Sequence, residues 1–195
     1  MAFFRAVSFS EPSLSISGEG VTLRAPQMSD FDEWAALREC SRGFLTPWEP
    51  TWPADDLNRS AFRRRLKRYS EDHRSDQAYP FFIFRNEDQA LVGGLTLANI
   101  RRGVAQAGSL GYWMGATYAG RGHMTAAVRA IVPFAFATLK LHRVEAACIP
   151  ANLASIRLLE KTGFAREGYA REYLCINGLW QDHLLYARIK DTPRP

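Results

Sequence analysis

The chain has 195 residues, 47% of them hydrophobic and 23% charged, which suits one well-buried domain of ordinary globular balance. No apolar run reaches the ~20 residues of a membrane-spanning helix, and Arg5 interrupts Phe3, Phe4, Val7 and Phe9 before a signal-like core can form. A cytoplasmic protein without membrane contact is therefore expected, and its net charge of +5 is too modest to name an acidic partner or an anionic ligand by itself. Cys40, Cys148 and Cys175 are far apart and lack CxxC spacing, and the four histidines lack paired spacing, so neither a disulfide framework nor a metal site is expected.

Residues 1–20 read as a flexible leader, 21–190 as a single domain and 191–195 as a tail. Val21–Arg24 is short and β-prone. Ser29 then reads as the N-cap of a helix over 30–42, with Asp30, Asp32 and Glu33 in its first turn, Phe31, Trp34 and Leu37 on its apolar side and Gly43 as its stop. Residues 44–53 hold three prolines and two tryptophans and read as a rigid aromatic loop. A second helix is expected over 56–73, where Phe62, Leu66 and Tyr69 share a side and Arg59, Arg63, Arg64, Arg65, Lys67 and Arg68 crowd around them. A solvated face is the first reading of those charges. A weak contact to RNA, the ribosome or an acidic protein is the second, because no aromatic interleaving accompanies them.

Strands are expected over 79–85, 90–98 and 109–114, the first two joined by Asn86-Glu87-Asp88-Gln89 as a hairpin. Met124, Ala127, Val128, Ile131, Val132, Ala135 and Leu139 recur at i, i+3, i+4, i+7, the pattern of a core-facing helix that Pro133 should kink. A strand over 143–149, a helix over 153–162 ended by Gly163, and a hairpin of 164–176 with 179–189 turned at Asn177-Gly178 complete the chain. The order βααβββαβαββ indicates an α/β fold with a mixed sheet.

Between the strand ending near Gly115 and the helix starting near His123 lies Tyr118-Ala119-Gly120-Arg121-Gly122-His123-Met124-Thr125. Two glycines at a helix start let the backbone approach a ligand, and the unpaired first-turn N–H groups favour an anion. A Rossmann nucleotide loop competes, but the third glycine is missing and the preceding strands look antiparallel. Glycines serving only a tight connection are the plain alternative.

Leu110-Gly111-Tyr112-Trp113-Met114-Gly115 followed by Gly120-Arg121-Gly122-His123-Met124-Thr125 resembles the acetyl-CoA motif of the GNAT superfamily of N-acetyltransferases. Asn152-x-x-Ser155 through Glu160-Lys161-Thr162-Gly163-Phe164 resembles its second block. Phe44-Leu45-x-Pro47-Trp48-Glu49-Pro50 and Glu167-Gly168-Tyr169-Ala170-x-x-Tyr173-Leu174-x-x-x-Gly178-x-Trp180-x-Asp182-His183 resemble the ribosomal-protein-alanine N-acetyltransferases that act on ribosomal protein S5. The resemblance spans about 21–189. It implies a GNAT-like mixed, mostly antiparallel central sheet flanked by helices, with parallel splayed strands at the acetyl-CoA site. It also implies acetyl-CoA as cosubstrate, no metal, and a protein N-terminus as acceptor. Cosubstrate-binding residues by this match are Trp113, Met114, Ala119, Gly120, Arg121, Gly122, His123, Met124, Thr125, Asn152 and Ser155. Ala119 and Met124 depart from the superfamily loop, which usually opens with Gln or Arg and closes with Gly or Ala.

The implied chemistry is direct attack of an amine on the thioester. An α-amine of pKa about 7.7–8.0 is roughly a tenth neutral at pH 7, so it needs only a modest base. By motif match Glu172 is the first candidate, acting through water, and Glu49 the second; the bland readings are an outward charge on a hairpin strand and a cap of the proline turn. Ser155 matches the position proposed to protonate the leaving thiolate, with a first-turn capping hydroxyl as the alternative. Asn152 is expected to bond the pantetheine arm, and backbone N–H groups near Met114 to serve the thioester oxygen. Phe44, Trp48, Glu49 and Tyr173 are expected at the acceptor. Cys175 reads as a buried inert thiol rather than an acyl-carrying nucleophile. The rival functions are acetylation of a small-molecule amine and a non-catalytic CoA-binding, ribosome-associated factor.

Overall fold

The computed structural model describes residues 14–191. Its eight-stranded sheet has the order β1-β2-β3-β4-β5-β6-β8-β7, built from β1 (Ser15–Gly18), β2 (Val21–Arg24), β3 (Tyr79–Arg85), β4 (Leu91–Arg101), β5 (Ala107–Met114), β6 (Arg143–Cys148), β7 (Ala165–Ile176) and β8 (Leu179–Ile189). Every neighbouring pair is antiparallel except β5 and β6. The mixed, mostly antiparallel sheet is thus present. β1 was not expected: it lies within the stretch read as leader, and pairs Ser15–Gly18 with β2.

The first helical region differs from the expectation. A short 3-10 turn at Met28–Asp30 precedes α1 (Phe31–Cys40), and α2 (Arg42–Leu45) comes after it. Asp30, not Ser29, occupies the N-cap position of α1. Its carboxylate is buried and takes two hydrogen bonds from Arg24 of β2 and one from the Gln27 N–H, so the residue ties helix to sheet as well as starting the helix. Gly43 lies inside α2 rather than stopping α1, and Thr46–Trp48 forms another 3-10 turn. The proline-rich stretch is therefore helical in its first half, where Pro47 occupies an opening turn that tolerates its missing N–H.

α3 (Arg59–Arg74) buries Phe62 against Trp34, Phe82 and their neighbours, in a second core on one side of the sheet. Four of its cations face carboxylates: Arg59 faces Asp32, Arg64 Asp55, Arg65 Asp56 and Lys67 Glu71. Those pairs favour the solvated-face reading. The main core lies under α4 (His123–Pro133), whose Met124, Ala127, Val128, Ile131 and Val132 are buried as the spacing predicted. At Pro133 the α ladder gives way to a π-helical turn, Phe134–Thr138, in which the Leu139 N–H reaches the Phe134 carbonyl. The proline's missing donor is met by a change of hydrogen-bond register. α5 (Leu153–Lys161) is succeeded by Gly163 at φ 82°. The hairpin turn sits at Asn177 and Gly178, both at positive φ, as an Asn-Gly turn requires.

Candidate active site

Parallel pairing of β5 with β6 covers only Ala107, Gly108 and Ser109 against Arg143, Val144 and Glu145. Beyond Ser109 the strands part, and the facing edge of β5 is left without a ladder partner. The opening is a cleft of about 660 Å³. Phe44, Trp48 and Glu49 wall it from the α1–α3 connection, Tyr112, Trp113 and Met114 from β5, and Asn152, Ser155, Arg157 and Lys161 from α5. Gly94 makes room for the Trp113 indole, since a Cβ there would meet its Nε1 at 2.4 Å.

The loop before α4 supplies Ala119, Gly120, Gly122, His123, Met124 and Thr125 to the cleft; Arg121 is exposed and outside the lining. Gly120 and Gly122 stand at φ 73° and 87°, a left-handed region that strains any side chain. The first bond of the α4 ladder runs from the Ala126 N–H to the Gly122 carbonyl, so the amides of His123, Met124 and Thr125 stand ahead of it and are open to an anion. His123 Nε2 is buried without a hydrogen-bond partner among the described residues. Burial pushes the pKa of this imidazole down, with Arg85 and Arg121 adding to the effect. The positive character of the cradle therefore comes from backbone amides and Arg121, not from an imidazolium. An open amide turn, two side-chain-free positions and an orphaned buried nitrogen fit a pyrophosphate-bearing ligand.

Ser155 is 9% exposed, and its hydroxyl lies 2.6 Å from the Tyr112 hydroxyl. Burial raises the Tyr112 pKa strongly, so the phenol keeps its proton. Asn152 is the N-cap of α5, its Oδ1 accepting the Ser155 N–H at 3.0 Å. Its carbonyl thus caps the helix, and its amide N–H₂ is the donor for the expected pantetheine bond. Cys148 is buried and its thiol pKa is raised by that burial.

Glu49 is held more firmly than expected. Arg38 donates to both carboxylate oxygens at 2.7 Å, and Trp52 Nε1 donates a third bond at 2.7 Å. The Arg38 side chain is 7% exposed, with its guanidinium over the Trp52 ring at 4.0 Å and over Trp113 at 5.0 Å. Such a bidentate, stacked pair fixes the loop that borders the cleft. Ser41, fully buried, accepts the Ala116 N–H and fastens α2 to the segment after β5.

Glu172 and Tyr173 do not line the cleft. Glu172 sits at φ 46° where the β7–β8 register slips between Ala170 and Leu174, and its N–H bonds Asp182. Tyr173 meets the His183 ring edge-on at 5.7 Å. The hairpin nevertheless joins the side of the cleft formed by Phe44, Trp48 and Glu49, because the Asn177 N–H donates to the Glu49 carbonyl at 2.9 Å. Cys175 is exposed, contrary to the buried thiol expected; it lies near the tip of a hairpin with both faces open. Sequence reasoning missed Arg38, although it stands one helical turn beyond Trp34 on the buried stripe, where a cation demands a carboxylate. Tyr112, Arg157 and Lys161 went without a role for want of the geometry that gathers them.

Residues 21–165 match the model of the acetyltransferase (GNAT) domain. The chain is 38% identical over 172 residues to the probable N-acetyltransferase YjcK of Bacillus subtilis, covering 88% of this chain and 95% of that protein. It is 33% identical to the [ribosomal protein uS5]-alanine N-acetyltransferase of Escherichia coli, covering 90% and 91%. Among solved structures, Mycobacterium smegmatis RimJ in complex with CoA-disulfide superposes with a TM-score of 0.84 at 30% identity, covering 91% of this chain and 86% of that one.

Proposed function

This chain belongs to the GNAT acetyltransferase family, and from that premise we propose that it moves the acetyl group of acetyl-CoA to the N-terminal α-amine of a protein, an alanine of a ribosomal protein in particular. The observation that carries the reading is the single cleft that joins the amide cradle of α4, the Tyr112–Ser155 pair and the aromatic wall of Phe44 and Trp48. Relatives named as a ribosomal protein uS5-alanine N-acetyltransferase and a ribosomal-protein-serine acetyltransferase support the acceptor class.

In this reading the amine attacks the thioester carbonyl, a C–N bond forms, and the C–S bond breaks with its electron pair on sulfur. The nitrogen loses its proton to water, for which Glu172 is the proposed acceptor. The Ser155 hydroxyl hydrogen-bonds the sulfur as charge gathers there, and the unpaired edge of β5 near Met114 offers N–H groups to the carbonyl oxygen. Glu49, neutralised by Arg38, serves as a fixed acceptor for the ammonium N–H rather than as the base. Trp48 and Phe44 flank the incoming chain, and Tyr173 braces the hairpin.

The test is a panel of N-terminal peptides, Ala-, Ser- and Met-initiated, against small amines, with acetylation read by mass spectrometry. Preferential acetylation of Ala-initiated peptides is expected; preference for the small amines would overturn the acceptor assignment. Glu172→Gln should lower kcat/KM on the best peptide by about 100-fold, the lower range for a general base, with acetyl-CoA affinity unchanged. An unaltered kcat/KM would leave water alone as the base.

A further inference from the structure

β7 slips out of register with β8 twice. The first slip, between Arg166 and Gly168, adds Glu167, whose carboxylate pairs with Arg143. The second is larger. Between the pairs Ala170–His183 and Leu174–Gln181, three residues of β7, Arg171, Glu172 and Tyr173, lie against one of β8, Asp182. Glu172 is the middle residue of this bulge and stands at φ 46°, a left-handed conformation that glycine and asparagine adopt far more readily than glutamate. The Glu172 carboxylate has no hydrogen bond or ion pair among the described residues. A bulge needed only for its shape would be served by glycine. A strained glutamate with an unengaged carboxylate is explained by a use for that side chain.

Asp182 holds the strained residue in place. Its Oδ1 accepts the Glu172 N–H at 2.8 Å, and its Oδ2 accepts the Tyr169 hydroxyl. Those donors, Tyr169 first and the Glu172 N–H second, keep the Asp182 carboxyl below the usual carboxylate range, so it is an ionised acceptor near neutral pH. On the next residue the buried His183 ring meets Tyr173 edge-on at 5.7 Å and steadies the far side of the bulge. The hairpin is anchored on either side of this stretch. Leu184 is the last β8 residue laddered to β6, opposite Cys148, and Asn177 bonds the Glu49 carbonyl beside the cleft. Between those anchors, the bond from Asp182 sets the backbone torsion of Glu172. Without that acceptor the N–H is unpaired and the residue relaxes toward the β region, which turns its Cα–Cβ bond and carries the carboxylate away.

We infer that Asp182 is a positioning residue for the acetyl transfer: it holds the Glu172 backbone in the bulged, left-handed conformation from which the carboxylate takes up the proton of the amine through water. This rests on Glu172 as the base. The experiment measures kcat/KM on the best peptide and the acetyl-CoA dissociation constant for Asp182→Ala and Asp182→Asn, each in the wild-type and the Glu172→Gln background. Asp182→Ala should lower kcat/KM by about tenfold, the worth of one hydrogen bond to a charged acceptor, and leave the acetyl-CoA constant within about twofold of wild type. Asp182→Asn keeps an oxygen for the Glu172 N–H and should retain kcat/KM within about threefold. In the Glu172→Gln background Asp182→Ala should cost less than about twofold further, because the carboxylate it positions is gone. Tyr169→Phe, at an exposed side chain, loosens Asp182 without removing it and gives the same test should the alanine variant unfold: about threefold is lost in the wild-type background and nothing in Glu172→Gln. An equal loss in both backgrounds, or an asparagine variant as impaired as the alanine one, would overturn the inference. If Glu172→Gln itself leaves kcat/KM unchanged, the base assignment fails and this inference with it. An impaired Glu172→Gln beside a fully active Asp182→Ala overturns this inference alone.

Discussion

Arg38 and Glu49 are eleven residues apart and belong to segments whose local signals say nothing about each other. Arg38→Met should destabilise the protein by about 2–4 kcal/mol in denaturant titration, because it leaves a largely buried carboxylate with a single donor, Trp52. Glu49 is 19% exposed, which keeps the expected loss toward the lower end. An unchanged midpoint would mean that water replaces the guanidinium without cost. Tyr112 makes a different kind of contribution. Its hydroxyl fixes the Ser155 rotamer from the β5 side, so Tyr112→Phe should lower kcat by about tenfold, the worth of one hydrogen bond, and leave the acetyl-CoA dissociation constant in place. A proportional loss of both would make Tyr112 a binding residue. The glycines of the cradle were legible in the sequence because they answer to local backbone geometry. Arg38 and the Tyr112–Ser155 pair were not, because their partners are set by which strands lie side by side.

Between elements, the turn from α3 into β3 is clamped by Asp76. Its carboxylate, on a residue at φ 56°, accepts hydrogen bonds from the Tyr79 hydroxyl and the Arg102 guanidinium, which also reaches the Leu139 carbonyl. One carboxylate thus links α3, the β4–β5 turn and the end of the π-helical segment. Tyr79 has its pKa pushed up to about 12 from 10.0, first by burial and then by Asp76. A raised folded-state pKa gives stability that is complete below pH 10 and lost as pH rises toward 12. Thermal melts should therefore show a fall in Tm across that window, and Tyr79→Phe should flatten it. The periodic elements were plain from the residues: the apolar stripe of α4 and the Asn-Gly turn of the last hairpin each encode their own geometry. The strand at Ser15–Gly18 was hidden because its four residues, Ser-Ile-Ser-Gly, carry almost no hydrophobic signal and take their order from β2. The helix boundaries near Ser29 and Gly43 shifted because tertiary bonds from Arg24 and Ser41 outweighed local capping preference.

For the whole molecule, the sheet order keeps to the chain order through β1, β2, β3, β4 and β5, then resumes as β6, β8 and β7. Each run is held by its own antiparallel ladders. α4 packs over the first run, against β1, β2 and β4, while α5 packs on β6 and β7 of the second. Acetyl-CoA contacts both runs at once in the proposed mode, so saturating cosubstrate should raise the melting temperature and slow amide hydrogen exchange in β6 as well as in the first turn of α4. Protection confined to α4 would argue that only the pyrophosphate cradle is engaged.

The short parallel contact between Ala107–Ser109 and Arg143–Glu145 thereby acquires a further meaning. Among the described residues it is the one place where the backbone ladders of two contiguous chain segments meet, and the short stretch through Lys140 is all that joins the π-helical turn to β6. A chain cut at Lys140, itself exposed and at φ 58°, should yield two fragments able to reassemble, with the cosubstrate acting as the rivet. Reconstitution of transferase activity on mixing the halves, made more efficient by CoA, is the behaviour such an architecture predicts.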